Sequence, residues 1–323
     1  MIDPAHPALV LAPMEGITDA PMRALQGESG AFTYAVSEFL RISQEIPPRR
    51  VFLRHVPELE YGSRTPSGMP VHVQLLGGDP ERMALAAERA CQAGAIAIDL
   101  NFGCPARTVN RHDGGATLLK SPQRIRTIVS AVRASVPTSV PVSAKLRLGW
   151  DDMKAIHSNA ESAAEGGASW ITIHGRTKEQ GYRPPAYWGP IGEVRRRIGI
   201  PVVANGDIWT IEDFLRCRDE TGCQHFMIGR GALADPWLPL RIAHELGILT
   251  DFQPQPMASL EAWMPWLRRF RYWSEHFPTR SPEYLLPRVK QWLRLAHSRG
   301  TITWFDRIKH YGSVADLCSG LGL

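Results

Sequence analysis

Cys104 stands in the turn Gly103-Cys104-Pro105, three residues after Asn101 and three before Arg107. A cysteine there is either a buried packing residue or an exposed reactive one. The turn position and the neighbouring amide and guanidinium favour the reactive role. Lys145 lies at the end of an apolar run. A lysine so placed must find an anionic partner or lose affinity for its proton. Three roles suit it: a Schiff-base amine, a cation beside charge developing on a reduced flavin ring, or one arm of a plain ion pair. Two turns suit a phosphate, Asn205-Gly206-Asp207 and Gly229-Arg230-Gly231. Glycine lets the backbone approach closely, and Arg230 adds a planar fork for phosphate oxygens. His174 reads equally as a ligand-facing or a satisfied structural group.

The elements that position these residues follow from the spacing of apolar side chains. Short β-rich runs occur at 9–11, 32–36, 71–75, 95–100, 142–146, 169–173, 202–204 and 224–228. Most precede an amphipathic helical stretch, as at 80–93, 122–135 and 154–165. Eight such units predict a (β/α)8 TIM barrel, an α/β fold, followed by a small C-terminal helical domain. A doubly wound sheet would share the alternation, but no GxGxxG follows the first strand. Barrel enzymes carry their chemistry at the C-terminal ends of the strands. Here those ends read Pro13-Met14-Glu15, Ser37-Glu38, Gln74, Asn101, Lys145 with Arg147, His174, Asn205-Gly206-Asp207 and Gly229-Arg230. A polar group at every end implies a large polar ligand over the mouth. Residues 40–68 read as an irregular excursion with one short helix.

Of 323 residues, 44% are hydrophobic and 21% charged, as in soluble globular chains. No apolar run is long enough for a membrane span, and the N-terminus lacks signal-peptide features. The five cysteines have no CxxC pair, so neither a zinc site nor a disulfide framework is expected. No metal is expected, and the chain is expected to act as a monomer in the cytoplasm. Residues 252–323 hold ten Lys/Arg and five Asp/Glu, so the net charge of +5 lies there and the rest is balanced. A boundary is expected at residue 250, with a linker at 251–256. Beyond it, Trp263, Trp266, Phe270, Trp273 and Phe277 share one helical face and read as core. Lys290 and Arg294, four apart, share a face, and Arg288 points roughly the other way. These charges read either as free for the backbone phosphates of a polyanion or as the solvated face of a helical cap with no partner.

Seven stretches together resemble the tRNA-dihydrouridine synthases. They are Leu11-Ala12-Pro13-Met14-Glu15-Gly16, Asp99-Leu100-Asn101-Phe102-Gly103-Cys104-Pro105, Gly114-Gly115-Ala116-Thr117-Leu118-Leu119-Lys120 and Lys145-Leu146-Arg147-Leu148-Gly149-Trp150, then His174-Gly175-Arg176-Thr177, Asn205-Gly206-Asp207-Ile208 and Ile228-Gly229-Arg230-Gly231-Ala232. They span nearly the whole expected barrel in family order. Ser63-Arg64-Thr65-Pro66-Ser67-Gly68 and Arg288-Val289-Lys290-Gln291-Trp292 look like the branch associated with uridine 16 of the D-loop. Phe102 departs from the Cys or Met often found in relatives, a conservative change.

The resemblance implies bound flavin mononucleotide (FMN), NADPH as electron donor, and reduction of the uracil C5–C6 double bond. It implies that Pro13, Met14, Glu15, Gln74, Lys145, His174, Asn205, Gly206, Asp207, Gly229 and Arg230 hold the flavin. Cys104 becomes the proton donor. Glu38, Asn101, Arg147, Tyr182, Arg288, Lys290 and Arg294 are then expected to face tRNA, within units 1–250 for catalysis and 251–323 for RNA. Two other readings stay open: a flavin barrel acting on a small free molecule, and an RNA-binding protein without turnover. Activity on free uracil against tRNA discriminates the first, and the yellow colour of bound flavin the second.

Overall fold

Eight short strands carry the barrel: β1 (Ala8–Leu11), β2 (Tyr34–Arg41), β3 (Val71–Leu76), β4 (Ile98–Asn101), β5 (Val142–Arg147), β6 (Trp170–His174), β7 (Val202–Asn205) and β8 (His225–Ile228). In the computed structural model, which describes residues 2–111, 113–253, 258–277 and 281–323, they pair in parallel in chain order. β8 closes on β1 through Ala8↔His225 to Leu11↔Ile228. The expected TIM barrel is therefore the observed one. Strand residues are buried on both sides, because one side packs on the helices and the other fills the barrel.

Two strand boundaries moved for local reasons. Ser37 and Glu38 lie within β2, not at its end. The register shifts between Val36 and Phe39, and Ser37 Oγ accepts from Gln74 N at 3.0 Å across that bulge. β4 begins at Ile98, not at 95. Gly94 takes the left-handed conformation that ends the preceding helix (φ 115°), and Ala95 N–H donates back to Ala90 at 2.9 Å. The helices Pro80–Ala93 and Pro122–Ser135 match the expected spans, each with proline in its first turn.

The excursion holds two helical pieces rather than one, Arg49–His55 and the 3-10 turn Pro57–Tyr61. The second places Glu58 beside Arg23 in a fully buried pair, with contacts of 2.7 and 2.8 Å. Arg23 also donates to Thr18 O at 2.8 Å. The fork thus ties the loop after β1 to the excursion after β2.

Past the barrel come the helices Leu260–His276, Leu285–Ser298 and Val314–Leu321. Trp263, Phe270 and Trp273 are buried as expected. Trp263 and Phe270 pack edge-on to Trp292, with ring centroids 5.4 and 5.5 Å away. Trp292 Nε1 donates to Leu233 O at 2.8 Å, joining these helices to the barrel. The expected linker falls partly on residues 254–257, outside the described residues. No described helix is long and apolar enough to cross a membrane.

Breaking a buried pair leaves an uncompensated charge, at a cost of about 3–5 kcal/mol. Glu58→Ala is expected to lose that much in urea unfolding. A midpoint shift equivalent to under about 1 kcal/mol would show that Arg23 does not depend on Glu58.

Candidate active site

The strand ends enclose a cavity of about 350 Å³ at the barrel mouth. It is lined by all eleven residues expected to hold a cofactor, by Cys104, and by Glu38, Asn101, Arg147 and Tyr182. Barrel closure brings them together, since alternate residues of each strand face inward.

The Cys104 turn is held from both sides. Asn101 Oδ1 accepts from Gly103 N at 2.9 Å, and Arg147 Nε donates to Gly103 O at 2.8 Å. Behind it, Gly115 sits at φ 60°, where a Cβ would lie 3.0 Å from Cys104 O and 3.2 Å from its Cβ. Only glycine lets that segment approach so closely. Burial pushes the Cys104 thiol above the usual thiol range, against smaller opposing pulls from Arg147 and Lys145. Cys104 is therefore a protonated thiol at neutral pH, suited to donating a proton.

The same burial acts oppositely on an amine. Lys145 is brought down to about 8, first by desolvation and then by Arg147, with Asp99 pulling the other way. Its Nζ donates to Asn205 Oδ1 at 3.3 Å, while Asn205 Nδ2 donates to Met227 O at 2.7 Å. Among the described residues no carboxylate pairs with Lys145, so the plain ion pair is not found. His174 is held neutral by burial and by Arg147, Lys145, Arg176 and Arg230 around it. Its Nδ1 is buried without a partner among the described residues.

The two glycine turns adjoin each other. A Cβ on Gly229 would meet Met14 Sδ at 3.0 Å and Ala12 Cβ at 3.3 Å. Asp207, at φ 50°, pairs with buried Arg176 and lies 3.5 Å from the Arg230 guanidinium. Arg230 in turn lies over Tyr182 at 5.0 Å and over Trp209 at 4.8 Å.

The residues present fit a flavin. The unfilled His174 nitrogen, the floor at Gly229 where a Cβ would crowd Met14, and a mouth mixing apolar and cationic groups suit a planar ring carrying a phosphate. Among the described residues no group of three or more His, Cys, Asp or Glu could hold a metal ion.

Two expectations need correction, the free cations at Arg288 and Lys290, and Arg147 has a further role. Arg147 lines the cavity, but its guanidinium also donates to Thr177 O at 3.0 Å and Gly181 O at 2.8 Å. It clamps loops on either side of the mouth. Arg288 is not a free cation: it is buried, donates to Gly16 O at 2.6 Å and to Ile17 O, and pairs with Asp19 at 3.4 Å. Lys290 is not free either, since Nζ donates to Lys309 O at 2.9 Å and Tyr311 O at 2.5 Å. Arg294 is exposed, with no ion pair among the described residues, and lines a neighbouring cavity of about 290 Å³.

Sequence reasoning missed Trp209 and Asp99. Trp209 lines the main cavity and is stacked by Arg299 at 3.3 Å. Its signal was its place just after Asn205-Gly206-Asp207. Asp99 lies two residues before Asn101, so strand alternation puts both inside the barrel.

A family model described as "Dihydrouridine synthase (Dus)" matches residues 10–270. A relative from Pseudomonas putida, named tRNA-dihydrouridine(16) synthase, is 43% identical over 287 residues, 89% of this chain and 87% of its own. One of the same name from Ralstonia nicotianae is 48% identical over 238 residues, 74% of this chain and 73% of its own. A third, from Neisseria meningitidis serogroup B, is 40% identical over 305 residues, 93% of this chain and 90% of its own. The family match runs from within β1 through β8 to the first helix beyond the barrel, so the chain belongs to the dihydrouridine synthase family.

Proposed function

We propose that this chain reduces a uridine of tRNA to 5,6-dihydrouridine, at position 16, with FMN as cofactor and NADPH as electron donor. One observation carries the reading: a protonated thiol, Cys104, faces the same cavity as the phosphate-suited turns and the unfilled His174 nitrogen. The names of the three relatives support tRNA and position 16.

FMN, when bound and reduced by NADPH, supplies the hydride for uracil C6. Gly206, Gly229 and Arg230 hold its phosphate, and Met14, Gln74, Lys145 and His174 its ring, with Pro13, Glu15, Asn205 and Asp207 completing the wall. Cys104 gives its Sγ proton to uracil C5 and regains one from solvent. Below about pH 8 Lys145 carries positive charge into the cavity. Asn101 and Tyr182 face the base, with Glu38 beside them. A uridine inside folded tRNA must be turned outward to reach this depth.

Residues 1–250 act in this reading as the catalytic unit and 251–323 as the RNA anchor, working as a monomer in the cytoplasm. Two cavities adjoin the mouth. One is lined by Arg288, Gln291 and Arg294, the other, of about 310 Å³, by Trp209, Arg216 and Arg299. We assign the flanking RNA backbone to them. Arg288 and Lys290 contribute by holding the Leu285–Ser298 helix in place, and Arg294 and Arg299 reach the phosphates.

Flavin released by denaturation should chromatograph as the mononucleotide. Recovery of the dinucleotide alone, or of no flavin, would overturn the cofactor assignment. Cys104→Ala should leave flavin content and NADPH oxidation near wild type. Single-turnover tRNA reduction should fall ~10²–10⁴-fold, and a variant keeping most of the wild-type rate would show another proton donor. Arg294→Ala and Arg299→Ala should each lower the salt slope of tRNA binding by ~1. Unchanged slopes in both would move the RNA path elsewhere.

A further inference from the structure

We propose that Asp99 is a positioning residue that sets which way round the Gln74 and Asn101 side-chain amides sit, so that Asn101 turns an N–H donor toward the ligand and its oxygen toward the Cys104 turn. The inference rests on the activity proposed above for its substrate. Its geometry stands without that activity.

Asp99 lies in β4, 1% exposed, one layer below the cavity. The barrel register sets it between Gln74 of β3 and Ser143 of β5. Ser143 Oγ donates to Asp99 Oδ1 at 2.6 Å, and Gln74 Nε2 donates to Asp99 Oδ2 at 2.7 Å. An ionised carboxylate only accepts, so it draws the nitrogen end of the Gln74 amide. Gln74 Oε1 then faces upward and accepts from Asn101 Nδ2 at 2.9 Å. That leaves Asn101 Oδ1 for Gly103 N–H, at 2.9 Å, one residue before Cys104.

The chain of four groups has an acceptor-only end and a donor-only end. Turning both amides over would set oxygen against oxygen at Asp99 and N–H against N–H at Gly103. Turning one alone would set like against like at its shared contact. Only one arrangement satisfies every member. Asn101 Nδ2 keeps a second hydrogen, and Asn101 lines the cavity. What it offers a ligand is a donor, which pairs with a ring carbonyl and rejects a ring amine. That is the difference between uracil and cytosine at C4.

The charge on Asp99 is what makes that end acceptor-only. Burial raises its carboxyl to about 6, against the Ser143 and Gln74 hydrogen bonds and the Lys145 charge. The Tyr34 phenol packs within its field from β2. Asp99 is thus ionised at neutral pH. Below about pH 6 it gains a proton; its carbonyl oxygen can still accept from Gln74 while its O–H turns to Ser143 Oγ, so the order is then held without the charge, from the Gly103 end.

The test compares Asp99→Ala with Asp99→Asn in the flavin-loaded enzyme. An asparagine can accept from Gln74 with Oδ1 and donate to Ser143 Oγ with Nδ2, keeping the order without the charge. Asp99→Ala should lower kcat/KM on tRNA ~10²-fold. It should also reduce the preference for uridine over cytidine at the reactive position ~10-fold. Alkylation of Cys104 by iodoacetamide without RNA, located by peptide mass spectrometry, should become several-fold faster as the turn loosens. Asp99→Asn should keep the preference and the slow alkylation, and lose any inflection near pH 6 in kcat/KM. Should Asp99→Ala not fold, Gln74→Leu cuts the same chain one step higher; because Gln74 is also assigned to the flavin ring, only its Cys104 alkylation rate at wild-type flavin content is read, and that rate should rise as in Asp99→Ala. A folded Asp99→Ala with wild-type preference and alkylation would overturn the proposal, as would an Asp99→Asn as impaired as Asp99→Ala. If the wild type reduces no tRNA uridine, the proposed activity fails, and Cys104 alkylation still tests the role of Asp99.

Discussion

Closing eight parallel strands sends every second side chain into one narrow interior, where each polar group must meet a partner of the opposite kind. Almost everything at the mouth follows from that constraint. Asn205 can face Lys145 with oxygen because its nitrogen is taken by Met227 O. Gly103 is gripped at both its N–H and its C=O because Asn101 and Arg147 each have a fixed direction. Several buried polar atoms find no partner among the described residues, and of these His174 Nδ1 belongs to a residue of the mouth cavity's wall. A group left so beside a cavity offers a bound ligand a partner.

The same environment also decides which groups carry charge. Desolvation penalises whichever form is ionised. It therefore raises the Cys104 thiol and lowers the Lys145 amine, moving both toward neutrality. The mouth keeps a proton on sulfur while holding a cation that is easily discharged. Arginine resists that pressure, which is why the clamps at the mouth are Arg147 and Arg230 rather than lysines.

Much of this was legible beforehand. All eight strands were found from apolar runs, and the strand-end residues do converge on one cavity. The errors came where a local event interrupts the period: the bulge at Ser37-Glu38 and the glycine cap before β4. Cations were harder. Helical spacing placed Lys290 and Arg294 on one face, but Lys290 reaches carbonyls 19 and 21 residues away, and the Arg288 contacts to Gly16 and Ile17 span 272 and 271 residues. No periodicity encodes such partners. Trp209 and Asp99 were within reach, one by its neighbours in a loop and the other by alternation along β4. Neither stood out by residue type alone.

The seam between the barrel and its last helices has a consequence for how the family can diversify. Arg288 and Tyr284 both engage Asp19, and Arg288 also holds the Gly16 and Ile17 carbonyls beside Met14. Lower on the same seam, Arg269 and Trp273 both engage Glu28. The segment that shapes the floor of the mouth is thus braced by residues encoded some 250 positions later. The C-terminal helices are not a cassette that recombination could exchange alone. A chimaera that imports them from a relative is expected to need matching partners at Asp19 and Glu28, although 241 and 265 residues separate the contacting groups.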